Sequence, residues 1–185
     1  MTEKHKQSNL SKIRRKDRAI LDDEWIRSFL ENSPIGVLCT VDQDQPFAQT
    51  NLFAYDSDNH SLYLHNAEIG RTPSNIQSNN KICFTTSIMG RLLPGKQACN
   101  FSAEYASVVI FGHAEILYDL SERIHGLTLL MQKYFPKHKS GKDYPEITSE
   151  EITGTAVIKI TINEWSAKSN QARKNFEGAF TFDQR

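Results

Sequence analysis

Residues 35–66 read IGVLCTVDQDQPFAQTNLFAYDSDNHSLYLHN, and their apolar runs separated by short polar breaks set the fold class. Residues 35–41 are β-branched and apolar, 42–46 form a turn, and 47–55 make a second extended run. Residues 56–60 are a second turn and 61–66 a third run. Extended runs joined this way predict an antiparallel meander.

Upstream, Trp25, Ile26, Phe29 and Leu30 fall at helical spacing within residues 22–31. Asp22 or Asp23 can cap that helix, and Asn32, Ser33 and Pro34 end it. Downstream, Thr72 can cap a short helix over residues 73–78, because Pro73 is tolerated in a first turn. Residues 81–87 read as a strand, and 89–99, with Gly90, Pro94 and Gly95, as a loop. Residues 106–117 make a long strand in which Gly112 predicts a bend or bulge. Residues 121–134 place Ile124, Leu127, Leu130, Met131 and Tyr134 on one helix face, and Pro136 closes it. Thr148 and Glu151 form a capping-box pattern for a short helix. Ile158, Ile160 and Ile162 alternate within residues 155–165, as in a half-buried strand. About six strands with flanking helices predict an α+β domain on an antiparallel sheet. Closing that sheet into a barrel removes its exposed edges. The expected organisation is a loose segment over residues 1–13, one domain over 14–170 and a tail over 171–185.

At 185 residues the chain is long enough for one sizeable core. Its 22 basic and 22 acidic residues balance, so no global field steers it to nucleic acid or an acidic membrane surface. RRKDR at residues 14–18 lacks the aromatic interleaving of single-strand binders and reads as a solvated lead-in or a dimer contact. Cys39, Cys83 and Cys99 show no metal-ligand or redox spacing, which fits a reducing compartment. The start has no apolar core of a secretory signal, and no apolar run nears the roughly 20 residues of a membrane span. These features predict a soluble cytoplasmic protein.

The stretch YLHNAEIGRTPSN, residues 63–75, holds the densest candidate chemistry. It brings His65 and Asn66 to a strand end and sets Arg71 and Thr72 before a helix start. A guanidinium, a hydroxyl and free backbone N–H groups form what a phosphate monoester needs. The same residues also read as a plain helix cap beside a surface arginine. His65 has no second His or Cys at ligand spacing, so no metal site is expected.

RRKDR, the run 35–55, LYLHNAEIGRTPSNI (62–76), KICF (81–84), FSAEYASVVIFGHAEIL (101–117) and WSAK (165–168) occur in that order. From Arg14 to Lys168 this arrangement resembles the pyridoxamine-phosphate-oxidase-like flavoproteins, and most nearly their Nim-type, nitroimidazole-resistance-related branch. The resemblance implies a six-stranded antiparallel split β-barrel with flanking helices, acting as a homodimer with FMN at the subunit interface. By position it implies that Gln49, Thr50 and Asn51 touch the flavin ring or ribityl chain, and that His65 and Asn66 contact the flavin. Arg71 and Thr72 match the phosphate-holding positions, although the family usually has a second basic residue where Thr72 stands. Ser107 matches a residue that approaches the flavin from the partner subunit. Trp165 would cover the ring and Lys168 meet an anion; both also read as an ordinary rim tryptophan and a solvated lysine. Ala54 stands where the oxidases carry lysine, which argues against pyridoxamine-phosphate oxidation itself. The implied function is reduction of a nitro-aromatic or quinone-like molecule by a nicotinamide donor, with His65 as proton donor. A flavin carrier or sensor without turnover, and a haem protein ligated through His65, are the alternatives. Neither nucleic acid nor a membrane is expected as a partner.

Overall fold

In a computed structural model describing residues 10–184, the chain runs β1 (Ala19–Ile20), α1 (Asp23–Asn32), β2 (Gly36–Asp42), β3 (Gln45–Asn51) and β4 (Ala54–Asp56). It continues as β5 (Ser61–Ala67), α2 (Arg71–Ser78), β6 (Lys81–Leu93), β7 (Ser102–Leu117), α3 (Leu120–Tyr134) and β8 (Thr155–Asn170). All the strands join one antiparallel sheet in the order β3-β2-β6-β7-β8-β5-β4, and β1 pairs with the far end of β8. The α+β class is as expected, with eight strands among the described residues in place of six. Residues 1–9 of the segment expected to be loose lie outside the described residues. Of the remainder, Ser11 and Ile13 are buried, and Ser11 donates to Glu164 at 2.5 Å.

The expected meander is corrected at Leu52 and Phe53. They split the run 47–55 into β3, which pairs with β2, and β4, which pairs with β5. These strands end the sheet path on opposite sides. In a flat sheet, six inter-strand steps of about 4.8 Å would hold them about 29 Å apart. Three Cα steps from Asn51 to Ala54 span at most about 11 Å, so the sheet must curl until its ends approach. At the break, Tyr134 replaces the missing ladder: its hydroxyl accepts from the Phe53 N–H at 3.0 Å and donates to the Pro34 carbonyl at 2.8 Å.

Other boundaries shift for identifiable reasons. β6 continues through residues 89–93, expected as loop, because a bulge between Met89 and Leu92 absorbs the irregularity at Gly90. Beyond it Leu92 bridges Phe180, while Arg91 pairs with Glu104 and donates to the Arg173 and Lys174 carbonyls. The C-terminal tail is therefore tied to the sheet. Thr148 accepts from the Glu151 N–H at 3.3 Å, but the residues that follow make turns and no helix. Asp22 caps α1 as expected, accepting from the N–H groups of Glu24 and Trp25. Gly112 marks a register shift against β8, and a Cβ there would stand 2.1 Å from the Thr161 carbonyl oxygen.

The core lies inside the curl, with Leu38, Phe53, Leu62, Leu64, Phe84, Val108, Ile110, Ile158 and Ile160 packed against Ile26 and Leu30 of α1. A smaller cluster of Tyr63, Leu117 and Val157 packs under α3. Cys39 and Cys83, which no sequence spacing links, sit directly opposite each other on β2 and β6 as free thiols. No helix among the described residues is long and apolar enough to cross a membrane.

Lys133 on α3 donates to the Leu30 carbonyl at 3.0 Å and lies 3.7 Å from the Phe53 ring centroid. Burial pushes its pKa down to about 8, with Glu31 offsetting part of the shift. Above about pH 8 the folded chain releases this proton while the unfolded chain keeps it up to the ordinary lysine range, so stability rises with pH. Cys39 and Cys83, raised from 9.0 by burial, act with the opposite sign at higher pH. The urea midpoint is expected to rise between about pH 7.5 and 8.5 in the native chain and to stay flat in Lys133→Met. Equal slopes in the two proteins would contradict this reading.

Candidate functional site at the junction of β3, β5 and α2

The curl brings the end of β3 beside the end of β5. On β3, strand alternation turns Phe47, Gln49 and Asn51 inward and leaves Ala48 and Thr50 on the outer face. On β5, Leu62, Leu64 and Asn66 share the inner face, while Tyr63 and His65 face α3. Asn51 Nδ2 donates to Asn66 Oδ1 at 2.6 Å, joining the two strand ends through side chains. Asn66 Nδ2 faces Gln49 Oε1 at the long distance of 3.5 Å, and the Thr72 hydroxyl donates to that same oxygen at 2.5 Å. Asn51 is 7% exposed, and its Oδ1 has no hydrogen-bond partner among the described residues. A buried acceptor without a donor costs about 1–3 kcal/mol, so this atom marks a place where a ligand donor or an ordered water is needed.

α2 is aimed at this network by two features. Gly70, with φ 156° and ψ 180°, takes a backbone conformation open to glycine and turns the chain sharply into the helix. Asn75, 2% exposed, donates to Thr40 Oγ1 on β2 at 2.9 Å and holds the helix against the sheet. The expected Thr72 cap is not made: Gly70 occupies the capping position and Thr72 is buried with its hydroxyl turned to Gln49. Arg71 opens the helix, exposed, with its guanidinium 5.1 Å from the Phe47 ring centroid. Phe47, Gln49, Asn66, Gly70, Arg71 and Thr72 are among the residues lining a cleft of about 230 Å³. A helix N-terminus, a guanidinium and carboxamides in one cleft suit an anion attached to a polar body.

His65 lies one residue from Asn66 in a different environment. It borders an apolar pocket of about 420 Å³ with Leu52, Leu127, Leu130, Met131 and Tyr134. β5 thus separates a polar cleft from an apolar one.

Gln49, Asn51, Asn66, Arg71 and Thr72 come together, and His65 flanks them. Thr50, Ser107 and Lys168 do not join them within the chain. Ser107 and Lys168 are cross-strand partners on β7 and β8, and ladder parity puts them on the same outer sheet face as Thr50. Trp165 is placed elsewhere again, because its Nε1 donates to Asp23 of α1 at 2.9 Å and its ring meets His60 and Tyr55. It fastens α1 to the sheet, the rim packing that the sequence also allowed, and stands apart from this cleft. Phe47 was missed, although its two-residue spacing from Gln49 and Asn51 marks all three as one strand face. Asn75 carries no local signal, since only the fold supplies Thr40.

A curled antiparallel sheet with flanking helices and a polar cleft at the start of a short helix defines an α+β domain. Residues 22–169 match the pyridoxamine 5'-phosphate oxidase family, and the chain belongs to it. Its fold is similar to the flavocytochrome Anf3 from Azotobacter vinelandii, with 23% identity, 89% of this chain and 75% of that one covered, and a TM-score of 0.75. It is also similar to a candidate 5-nitroimidazole antibiotic resistance protein from Bacteroides thetaiotaomicron (23% identity, 83% and 90% covered, TM-score 0.66). A third similar structure is the FAD and heme binding protein from Mycobacterium smegmatis (18% identity, 84% and 74% covered, TM-score 0.73). These similarities show the fold, and they single out no branch of the family. No curated protein matches the chain.

The Asn75–Thr40 bond gives a direct test of how α2 is held. Asn75→Ala is expected to cost about 1–3 kcal/mol in urea unfolding by stranding the Thr40 hydroxyl. Adding Thr40→Val should recover part of that loss, and two additive losses would show that the bond does not hold the helix.

Proposed function

We propose that this chain is a flavin-dependent redox protein that binds the FMN moiety across the β3–β5 junction, with its phosphate at Arg71 and the start of α2. The observation that carries this reading is the network of Thr72, Gln49, Asn66 and Asn51 beside Arg71, with the orphaned Asn51 Oδ1 among its atoms. These residues fit the group: inward carboxamides offer donors and acceptors to a polar ring edge or ribityl chain, and the guanidinium meets the phosphate. When bound, the flavin supplies electron transfer, while the protein binds, orients and excludes water. The reaction proposed is reduction of a nitro-aromatic or quinone-like acceptor by a nicotinamide donor. His65 borders an apolar pocket that suits a planar organic molecule, and this supports it as the group that gives a proton to that acceptor. Its place at the strand end is also what supports the nitroimidazole-resistance-related branch.

The homodimer is part of the same proposal. Val37, Cys39, Cys83, Val109 and Phe111 are half-buried on the outer sheet face and belong to no core cluster. Thr50, Ser107 and Lys168 share that face, so a second copy seated on it would bring them toward the flavin of its partner.

A second reading has its own observation. The pocket against His65 is apolar enough for haem, with the imidazole as axial ligand. The visible spectrum of the purified protein, and of the supernatant after heating, separates these readings. The proposal expects flavin absorbance with the flavin released on heating, and Arg71→Ala weakening its rebinding about 10- to 100-fold. Bleaching of the flavin by a nicotinamide donor, and recovery with an acceptor, distinguish an enzyme from a carrier. A haem band that disappears in His65→Ala would favour the second reading, and a colourless protein that takes up neither group would sink both.

A further inference from the structure

The ladder between β2 and β6 is short. β2 pairs with β3 from Gly36 to Asp42, but with β6 only through Val37, Leu38 and Cys39, opposite Thr85, Phe84 and Cys83. Beyond Cys39 the two strands part. The next residue, Thr40, is buried and accepts from Asn75 at 2.9 Å, so α2 is seated on β2 where the ladder stops. Cys39 and Cys83 are the last rung of this seam. Residues paired across an antiparallel ladder have Cα atoms about 4.5 or 5.5 Å apart. Their side chains share one face, with Cβ atoms about 4.5–5.5 Å apart. A disulfide spans about 4.4–6.8 Å between Cα atoms and about 3.5–4.5 Å between Cβ atoms. The backbone separation therefore suits one already, and the Cβ atoms need approach by no more than about 1 Å.

Both side chains are half-buried, and both are free thiols. Burial raises both above the ordinary thiol value, and Cys39 raises Cys83 further, so the two sulfur atoms lie within electrostatic range of each other. Cys99 is exposed in the turn at Ala98–Asn100, outside this ladder, with its thiol against Gln97 and Asn100. We propose that Cys39 and Cys83 are a reversible redox pair, closing to a disulfide by exchange with a small-molecule disulfide and so latching β2 to β6 beside the seat of α2. One cysteine thiolate attacks the small disulfide, forming a mixed disulfide and releasing half of the reagent as a thiolate. The second cysteine then attacks the protein sulfur of that mixed disulfide and releases the other half. Two electrons pass to the reagent, which leaves as two thiols carrying the two protons that the cysteines lose. The product has one S–S bond in place of two S–H bonds and adds no heavy atom to the outer face, so a second copy can sit there in either state. In a reducing compartment the pair rests open, and it closes as the thiol–disulfide balance turns oxidising. No flavin is needed for this step.

The test uses the reduced full chain with reduced and oxidised glutathione in mixtures of increasing oxidising strength. One sample is incubated folded, and another is refolded from urea in the same buffers, so that its thiols meet the reagent before the face is covered. After acid quenching and alkylation, peptide mapping by mass spectrometry reads which cysteines are joined. Cys39 is expected joined to Cys83 at least about tenfold more often than either is joined to Cys99, because neighbours held in place have a far higher effective concentration. The link should persist in Cys99→Ser, whereas in Cys83→Ser Cys39 should go no further than the mixed disulfide with glutathione. In the linked chain the urea midpoint should rise and amide exchange over residues 37–39 and 83–85 should slow, both reverting on reduction with dithiothreitol. Cys39 and Cys83 found only as free thiols or as separate glutathione adducts, in folded and refolded samples alike, would overturn the pairing. A linked chain no more stable than the reduced one would overturn the latch.

Discussion

Only Leu52 and Phe53 separate two strands that occupy opposite ends of the sheet path, and this short link is the constraint on which the rest of the molecule depends. It forces the sheet round on itself and so decides what the interior contains. Phe53 is fully buried and meets Phe84 edge-on at 4.9 Å between ring centroids, so the link is also a core element. The backbone there has no strand partner of its own. Tyr134 supplies hydrogen bonds and Lys133 a cationic group over the Phe53 ring, both from the last turn of α3. α3 therefore locks the point where the sheet turns back.

The candidate site follows from the same geometry. Because the link returns β3 to the neighbourhood of β5, Gln49 and Asn51 reach Asn66 although 15 to 17 residues of chain separate them. The ends meet through side chains, leaving amide groups available to a ligand in a way that a continuous ladder would not. β5 then works as a partition. Asn66 faces the polar cleft with Arg71, while His65, the preceding residue, faces the apolar pocket under α3. A cofactor with a charged tail and a substrate with an apolar ring need two such environments in contact.

Much of this was legible in the sequence, and the omissions have physical causes. Helix α1 announced itself through Asp22 and its apolar spacing, and Gly112 marked a bulge because no other residue fits against Thr161. Gln49, Asn51, Asn66, Arg71 and Thr72 were named through the family resemblance, and the fold brings them together. The break at Leu52–Phe53 was not, since two apolar residues carry none of the Gly or Pro punctuation that usually ends a strand. Gly90 misled in the opposite direction, suggesting a loop where a bulge keeps the strand intact. The packing of Trp165 was left open by the sequence because only the fold reveals Asp23 as its partner, 142 residues away. The direction of the Thr72 hydrogen bond depends on what the hydroxyl faces, which no local pattern encodes.

On the proposed function, the flavin sits at the junction of β3, β5 and α2. A crystal structure of the flavin complex tests it most directly. Phosphate oxygens are expected within hydrogen-bonding reach of the Arg71 guanidinium and the first N–H groups of α2, with Asn51 Oδ1 newly partnered by the ligand or an ordered water. A flavin seated elsewhere, with the cleft beside Arg71 holding only solvent, would contradict it.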